Sequence, residues 1–128
     1  MSDRSVINKH NKDIERIRKC ILGAKSVAIS GHSNPDGDSI GSLLAMGLAL
    51  ESIGKNVYML CQDEIPPNYR SLPGVNRILK TVDKPVDLAI AVDCSTLDVL
   101  GRNVPVFERA KFVIEIDHHK YRKTFGGI

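Results

Sequence analysis

The feature that most constrains this chain is a set of short apolar runs, each ending in residues that carry charge or an imidazole. Val27-Ala28-Ile29 leads into Gly31-His32-Ser33-Asn34-Pro35-Asp36-Gly37-Asp38-Ser39. Leu88-Ala89-Ile90-Ala91-Val92 ends in Asp93, and Phe112-Val113-Ile114-Glu115-Ile116 ends in Asp117-His118-His119. Runs of this kind, separated by helical patterns, predict strands buried on both faces. The fold class that follows is α/β: a parallel β-sheet with helices on both faces, in one domain. In such a sheet, ligands bind beyond the carboxyl ends of the strands. All three chemistry-bearing stretches are expected there, and that coincidence carries more weight than any one of them.

The expected strands are Ser26–Ser30, Asn56–Cys61, Leu88–Asp93 and Phe112–Asp117. Ile14, Ile17, Ile21 and Leu22 recur on one face of a first helix, with Asn8 or Asn11 as its cap and Gly23 at its end. A second helix is predicted over Ser39–Ser52, with Ile40, Leu43, Leu44 and Leu48 as its apolar stripe. Gly41, Ala45 and Ala49 make a stripe of small residues that would let this helix lie close on a sheet. Its amino end points free N–H groups and the positive dipole end at the acidic loop, a favourable place for phosphate. One helical turn within Asn68–Leu72 and a short helix over Val106–Ala110 complete the pattern.

Composition narrows the class of protein. The chain has 128 residues, with 18 basic and 15 acidic side chains and a net charge of +3. That length suits one domain with a real core. That charge is too small to argue for nucleic-acid binding by itself. Cys20, Cys61 and Cys94 show no C-x-x-C spacing, so a reducing, cytoplasmic setting fits and a zinc-thiolate site does not. No apolar stretch approaches the ~20 residues needed to span a bilayer, so no membrane partner is expected.

The loop after the first run holds one imidazole and two carboxylates. Pro35 and Gly37 make it tight. Carboxylates this close repel each other, and a bound divalent cation removes that cost. Singly, each piece has a plain reading: Asp36 and Asp38 as turn formers, Asp93 as a helix cap, His32 as a solvated side chain. Together, His32, Asp36, Asp38, Asp93, Asp117, His118 and His119 form a hard oxygen and imidazole donor set suited to Mn²⁺, Mg²⁺, Fe²⁺ or Co²⁺, with Zn²⁺ open. The set exceeds what one ion needs. Two ions sharing a carboxylate would use it, and such pairs hydrolyse phosphoryl or amide bonds.

These motifs resemble those of the DHH phosphoesterase family. His32-x-x-x-Asp36-Gly37-Asp38 followed by Ser39-Ile40-Gly41-Ser42, then Val92-Asp93, then Asp117-His118-His119 stand in the family's order over nearly the whole chain. Asn34-Pro35-Asp36-Gly37-Asp38 is most similar to the oligoribonuclease/pAp-phosphatase branch (NrnA-like, RecJ-related), as are Ile65-Pro66-Pro67 and Leu72-Pro73. The resemblance implies one metal held by His32, Asp36 and Asp93, and a second by Asp38, Asp93 and His118, with Asp93 bridging and Mn²⁺ as the expected ion. It implies that His119 faces the scissile phosphate and that Asp117 orients the histidines. Ser39, Lys120 and Arg122 would meet substrate phosphates. The implied reaction is two-metal, in-line attack of water on phosphodiester or phosphomonoester bonds of short oligonucleotides or pAp-like nucleotides.

Cyclic dinucleotides, single-stranded DNA and inorganic pyrophosphate are alternative substrates within the family, and a homodimer is open. Residues 1–128 read as an N-terminal catalytic domain that stops before the family's fourth motif and its C-terminal substrate-binding domain. A metal-binding but inactive piece therefore stays a rival. Two others are weaker. Asp36-Gly37-Asp38-Ser39 has the D-x-D-x-S pattern of aspartyl-nucleophile phosphatases, but Gly31 to Pro35 separate it from the strand. An EF-hand reading needs Gly at Ser39 and Glu at Ala45.

Overall fold

A computed structural model describes residues 3–118 and 125–128, with residues 3–9 entering as helix backbone only. The elements run α1 (Asp3–Gly23), β1 (Ser26–Ser30), α2 (Gly37–Ser52), β2 (Asn56–Leu60), β3 (Leu88–Val92), α3 (Val104–Arg109) and β4 (Phe112–Ile116). Short 3-10 turns lie at Pro67–Tyr69, Val75–Arg77 and Leu97–Asn103. Among the described residues the four strands form one parallel sheet in the order β2-β1-β3-β4. The first helix begins at Asp3, so neither Asn8 nor Asn11 caps it. The helical turn of the proline-rich loop is confined to Pro67–Tyr69, where Pro66 and Pro67 set the entry.

The strand residues alternate in size between the two faces. Val27, Ile29, Leu88, Ile90 and Ile114 enter the core shared with α1 and α2. Ala28, Ala89 and Ala91 face the other side, where Leu100, Val106 and Phe107 cover them. Small residues on that face let the Leu97–Asn103 turn and α3 lie close. Every residue of β3 is buried, which is why its run shows no polar alternation. Each large aliphatic side chain so buried contributes about 1.5–3 kcal/mol.

The helix α2 is rotated from its expected setting. Its buried face is Ser39, Ile40, Leu43, Leu44, Gly47 and Leu50, while Gly41, Ala45 and Ala49 are exposed and Leu48 is only half-buried. The small stripe therefore looks outward. Close approach comes from Gly47 instead, where an added Cβ would overlap the Met59 sulfur on β2. The apolar residues at 40, 43, 44, 47 and 50 follow the helical period better than the set ending at Leu48.

Asp87 ties together the amino ends of three strands. Its carboxylate accepts from the Lys25 and Ser26 N–H groups at 2.9 and 3.3 Å. Its own N–H donates to Ser26 Oγ at 3.0 Å, and its carbonyl accepts from Phe112 N–H at 3.1 Å. The bonds from Lys25 and Ser26, with Lys111 beside them, hold its carboxyl below the ordinary value. A depressed folded-state value stabilises the fold above the unfolded pKa of ~3.9, and that contribution is lost as pH falls through the folded value. Asp87→Ala is expected to lower the Tm at pH 7, with the gap to wild type narrowing below pH ~4. Thermal melts across that range check it; a gap that persists unchanged into acid would refute the assignment.

Candidate metal centre

The strand order places the site. After β1 the chain turns to β2 on one side, and β3 lies on the other side of β1. The loops after β1 and β3 therefore diverge, and a crevice opens between their carboxyl ends. The β1 loop brings His32 and Asp36 there, the first turn of α2 brings Asp38, and the ends of β3 and β4 bring Asp93 and then Asp117 and His118.

The acidic loop is pinned from outside. Ser33 N–H donates to Val99 O at 2.7 Å, and Asn34 N–H to Asp63 Oδ2 at 2.7 Å. Asp36 caps α2: its Oδ1 accepts from Ser39 N–H at 2.8 Å, and its carbonyl from Ile40 N–H at 3.0 Å. The phosphate seat expected at the amino end of α2 is narrowed accordingly, since these two donors are taken.

Asp93 stands just past β3 and is 5% exposed. Its φ is +57°, an unusual value for a residue other than glycine and a cost of about 1 kcal/mol or more. Its N–H donates to Ile116 O at 2.9 Å, which holds that turn against β4. It caps no helix; the next helical turn begins after Thr96. The turned backbone lets its two carboxylate oxygens face different neighbours. Oδ2 lies 3.5 Å from His32 Nε2, and Oδ1 lies 2.9 Å from His118 Nε2. Asp36 Oδ1 completes the first group at 4.0 Å from His32 Nε2, and Asp38 Oδ2 the second at 2.9 Å from His118 Nε2. Within each group the ligand atoms lie within 4.8 Å of one another.

The histidine hydrogen bonds set how each group presents its ligand atoms. His32 Nδ1 lies 2.6 Å from Ser33 O. A carbonyl only accepts, so Nδ1 donates there, and Nε2 is the nitrogen turned toward the carboxylates. Nε2 faces two carboxylates across 3.5 and 4.0 Å, a gap that a divalent cation fits. The bond to Ser33 also fixes the ring, as an outer partner does for a metal-ligating histidine. At His118, hydrogen bonds to Asp93 and then Asp38 raise the pKa. A proton there sits between two carboxylates, where a divalent cation could replace it. The donor set of oxygens and imidazoles fits a divalent cation of the hard to borderline kind.

Not every expected site residue is in the crevice. Ser39 is 1% exposed. Its side chain packs under Gly31, where an added Cβ would overlap Ser39 Oγ. Ser39 is thus an interior contact between β1 and α2, turned away from the crevice surface where substrate phosphates would be met. Asp117 is half-buried and lines a cavity of about 280 Å³ with Ser42, Ala45, Met46, Val92, Asp93, Ile116 and His118. His119, Lys120 and Arg122 lie outside the described residues. Cys94 is buried beside Asp93, and burial and the nearby carboxylates push its thiol up to about 12, so it packs rather than reacts. Larger hollows of about 500 and 550 Å³ lie between α1 and the start of β4, around Phe112. They lack the converging carboxylates of the crevice. Asp63 and Tyr69, which touch the acidic loop from outside, carry no ligand motif and were visible only once the fold brought them there.

The family model for the N-terminal domain of the DHH family matches residues 26–126. The chain belongs to the DHH phosphoesterase family. The bifunctional oligoribonuclease and PAP phosphatase NrnA of Thermus thermophilus is 38% identical over 117 residues, covering 88% of this chain and 33% of that protein. Among solved structures, an exopolyphosphatase-related protein from Bacteroides fragilis superposes with a TM-score of 0.80 at 26% identity, over 92% of this chain and 38% of that one. The chain thus spans about a third of the length of these relatives. No described helix is long and apolar enough to cross a membrane.

Proposed function

We propose that this DHH protein is a divalent-cation-dependent phosphoesterase acting on short oligonucleotides or pAp-like nucleotides, with Mn²⁺ as its cation and Mg²⁺, Co²⁺ or Fe²⁺ as substitutes. The observation that carries the reading is the division of Asp93, whose two oxygens face two separate groups able to hold a cation. His32, Asp36 and Asp93 would hold one ion, and Asp38, Asp93 and His118 the other. Bound cations there supply neutralisation of phosphoryl charge and a lowered pKa for water. The chain's own residues do the rest. The buried Asp93 keeps the two groups adjacent, and the Ser33 carbonyl keeps His32 in its ligating tautomer. His119 would donate to the phosphoryl oxygens as charge develops, Lys120 and Arg122 would meet substrate phosphates, and Asp117 would orient the histidines. The relative that is an oligoribonuclease and PAP phosphatase supports a nucleotide substrate. The exopolyphosphatase-related neighbour favours a second reading, hydrolysis of inorganic pyrophosphate or a longer phosphate chain.

The test is an assay of the protein with Mn²⁺ against pAp, a short oligoribonucleotide, a cyclic dinucleotide, single-stranded DNA and pyrophosphate. Faster turnover of pAp or the oligoribonucleotide is expected. Faster release of phosphate from pyrophosphate selects the second reading. Tight Mn²⁺ binding without turnover of any of these would make the protein a metal-binding module instead.

A further inference from the structure

We propose that the connection between β2 and β3 is a strap that sets the spacing of the two cation-holding groups, with Tyr69 and Asp63 as its positioning residues. The proposal rests on the two-cation reading above. Asp36 belongs to one group and Asp38 to the other, and Gly37 alone separates them. The backbone at Gly37 therefore fixes how far apart the two groups stand.

Gly37 opens α2 and does not have a positive φ, so its backbone conformation does not demand glycine. Space does. A Cβ added there would lie 3.1 Å from Tyr69 Oη, 3.3 Å from Cε1 and 3.4 Å from Cζ. The tyrosine ring stands closer than ordinary contact to the place a side chain would take. It is held there from both sides: Tyr69 N–H donates to Pro66 O at 3.0 Å, and the ring packs against the main core. On the other side of Pro35-Asp36, Asp63 Oδ2 takes the Asn34 N–H at 2.7 Å. Asn34 has a φ of +53°, so this bond holds a turned residue in place just before the ligand. The strap thus touches the loop before and after Asp36, without itself joining either group.

This arrangement reverses an ordinary expectation. Alanine in place of glycine in a helix is normally favourable. Here the ring of Tyr69 opposes it: ring or loop must give by a few tenths of an ångström, and the packing of the ring against the core resists its retreat. Outer contacts of metal ligands typically carry ~10–100-fold in metal affinity.

A double-mutant cycle tests the idea, with two readouts. One is Mn²⁺ affinity by calorimetry. The other is hydrogen exchange of the Ser39 amide in the metal-free protein, since that amide donates to Asp36 Oδ1 and reports the loop without any metal. Gly37→Ala is expected to weaken Mn²⁺ binding by about 10-fold or more and to speed Ser39 exchange. Adding Tyr69→Ala to it should return both readouts to those of Tyr69→Ala alone, while Tyr69→Phe should match wild type. Asp63→Ala, which removes the acceptor for Asn34 N–H, should also speed Ser39 exchange. Wild-type behaviour of Gly37→Ala, or a double variant as impaired as the two singles together, overturns the proposal. If Gly37→Ala does not fold, Tyr69→Ala decides: faster Ser39 exchange supports the strap, and unchanged exchange overturns it. A wild-type protein that binds no Mn²⁺ removes the two-cation reading, and the exchange data still judge the strap separately.

Discussion

Replacing Asp93 with alanine is expected to remove both cations at once and to lower phosphoester hydrolysis by ~10³-fold or more, the equivalent of several kcal/mol of transition-state stabilisation. Single-group variants should behave differently. His32→Ala should weaken only the group with Asp36, and His118→Ala only the group with Asp38, because each imidazole faces a different oxygen of Asp93. Asp93→Asn is the control for folding: it keeps the shape of the side chain and tolerates the +57° φ. Its Tm should stay near wild type while Mn²⁺ binding falls. Calorimetry with Mn²⁺ on the four proteins reads the pattern. If Asp93→Ala keeps one cation at full affinity, Asp93 does not bridge. If either histidine variant loses both cations, the two groups are not separable.

Much of this was legible in the sequence because strands buried on two faces leave a strong signal. Leu88–Val92 is apolar throughout, and the structure buries all five residues. Once parallel strands are inferred, the rule that sites lie beyond their carboxyl ends brings His32, Asp93 and His118 together from positions far apart in the chain. Their convergence within ligand distance follows from topology more than from any one motif. The order β2-β1-β3-β4 was not legible, since short strands of similar composition do not reveal which neighbours pair.

Other features depended on contacts that no local pattern carries. The small stripe of Gly41, Ala45 and Ala49 looked like a packing face, but the neighbouring Leu43, Gly47 and Leu50 bury more apolar area when turned inward. The alternation of large and small residues between the two faces of the sheet decides that rotation only through the helices that meet it. The positive φ at Asp93 is likewise a tertiary result: its N–H reaches Ile116 O on β4, and aspartate is among the few residues that adopt such a turn readily. Tyr69 reads as an ordinary loop aromatic until Gly37 is beside it.

The contact between Gly31 and Ser39 leads to the second large expected effect. Gly31 follows β1 directly, and a Cβ placed on it would overlap Ser39 Oγ in the first turn of α2. The backbones on both sides are held, by the Ser39 N–H bond to Asp36 Oδ1 and by the burial of Ser30, so relief requires turning the Ser39 hydroxyl within a buried space. Gly31→Ala is therefore expected to destabilise the fold by about 1–3 kcal/mol, a fall in Tm of roughly 5–15 °C. It should also displace His32, the next residue, and Asp36 through its bond to Ser39. A shift near 1 Å at a reacting centre can cost ~10²-fold in rate. The compensating change is Ser39→Ala. It removes Oγ and leaves Ser39 Cβ 3.7 Å from the added carbon, an ordinary contact. The double variant Gly31→Ala/Ser39→Ala should regain most of the lost Tm and activity, and Ser39→Ala alone should leave KM unchanged. Thermal melts and steady-state kinetics on the three variants read both outcomes. A raised KM in Ser39→Ala at unchanged Tm would return Ser39 to a substrate-binding role, and a double variant no better than Gly31→Ala would show that this contact does not hold β1 and α2 in register.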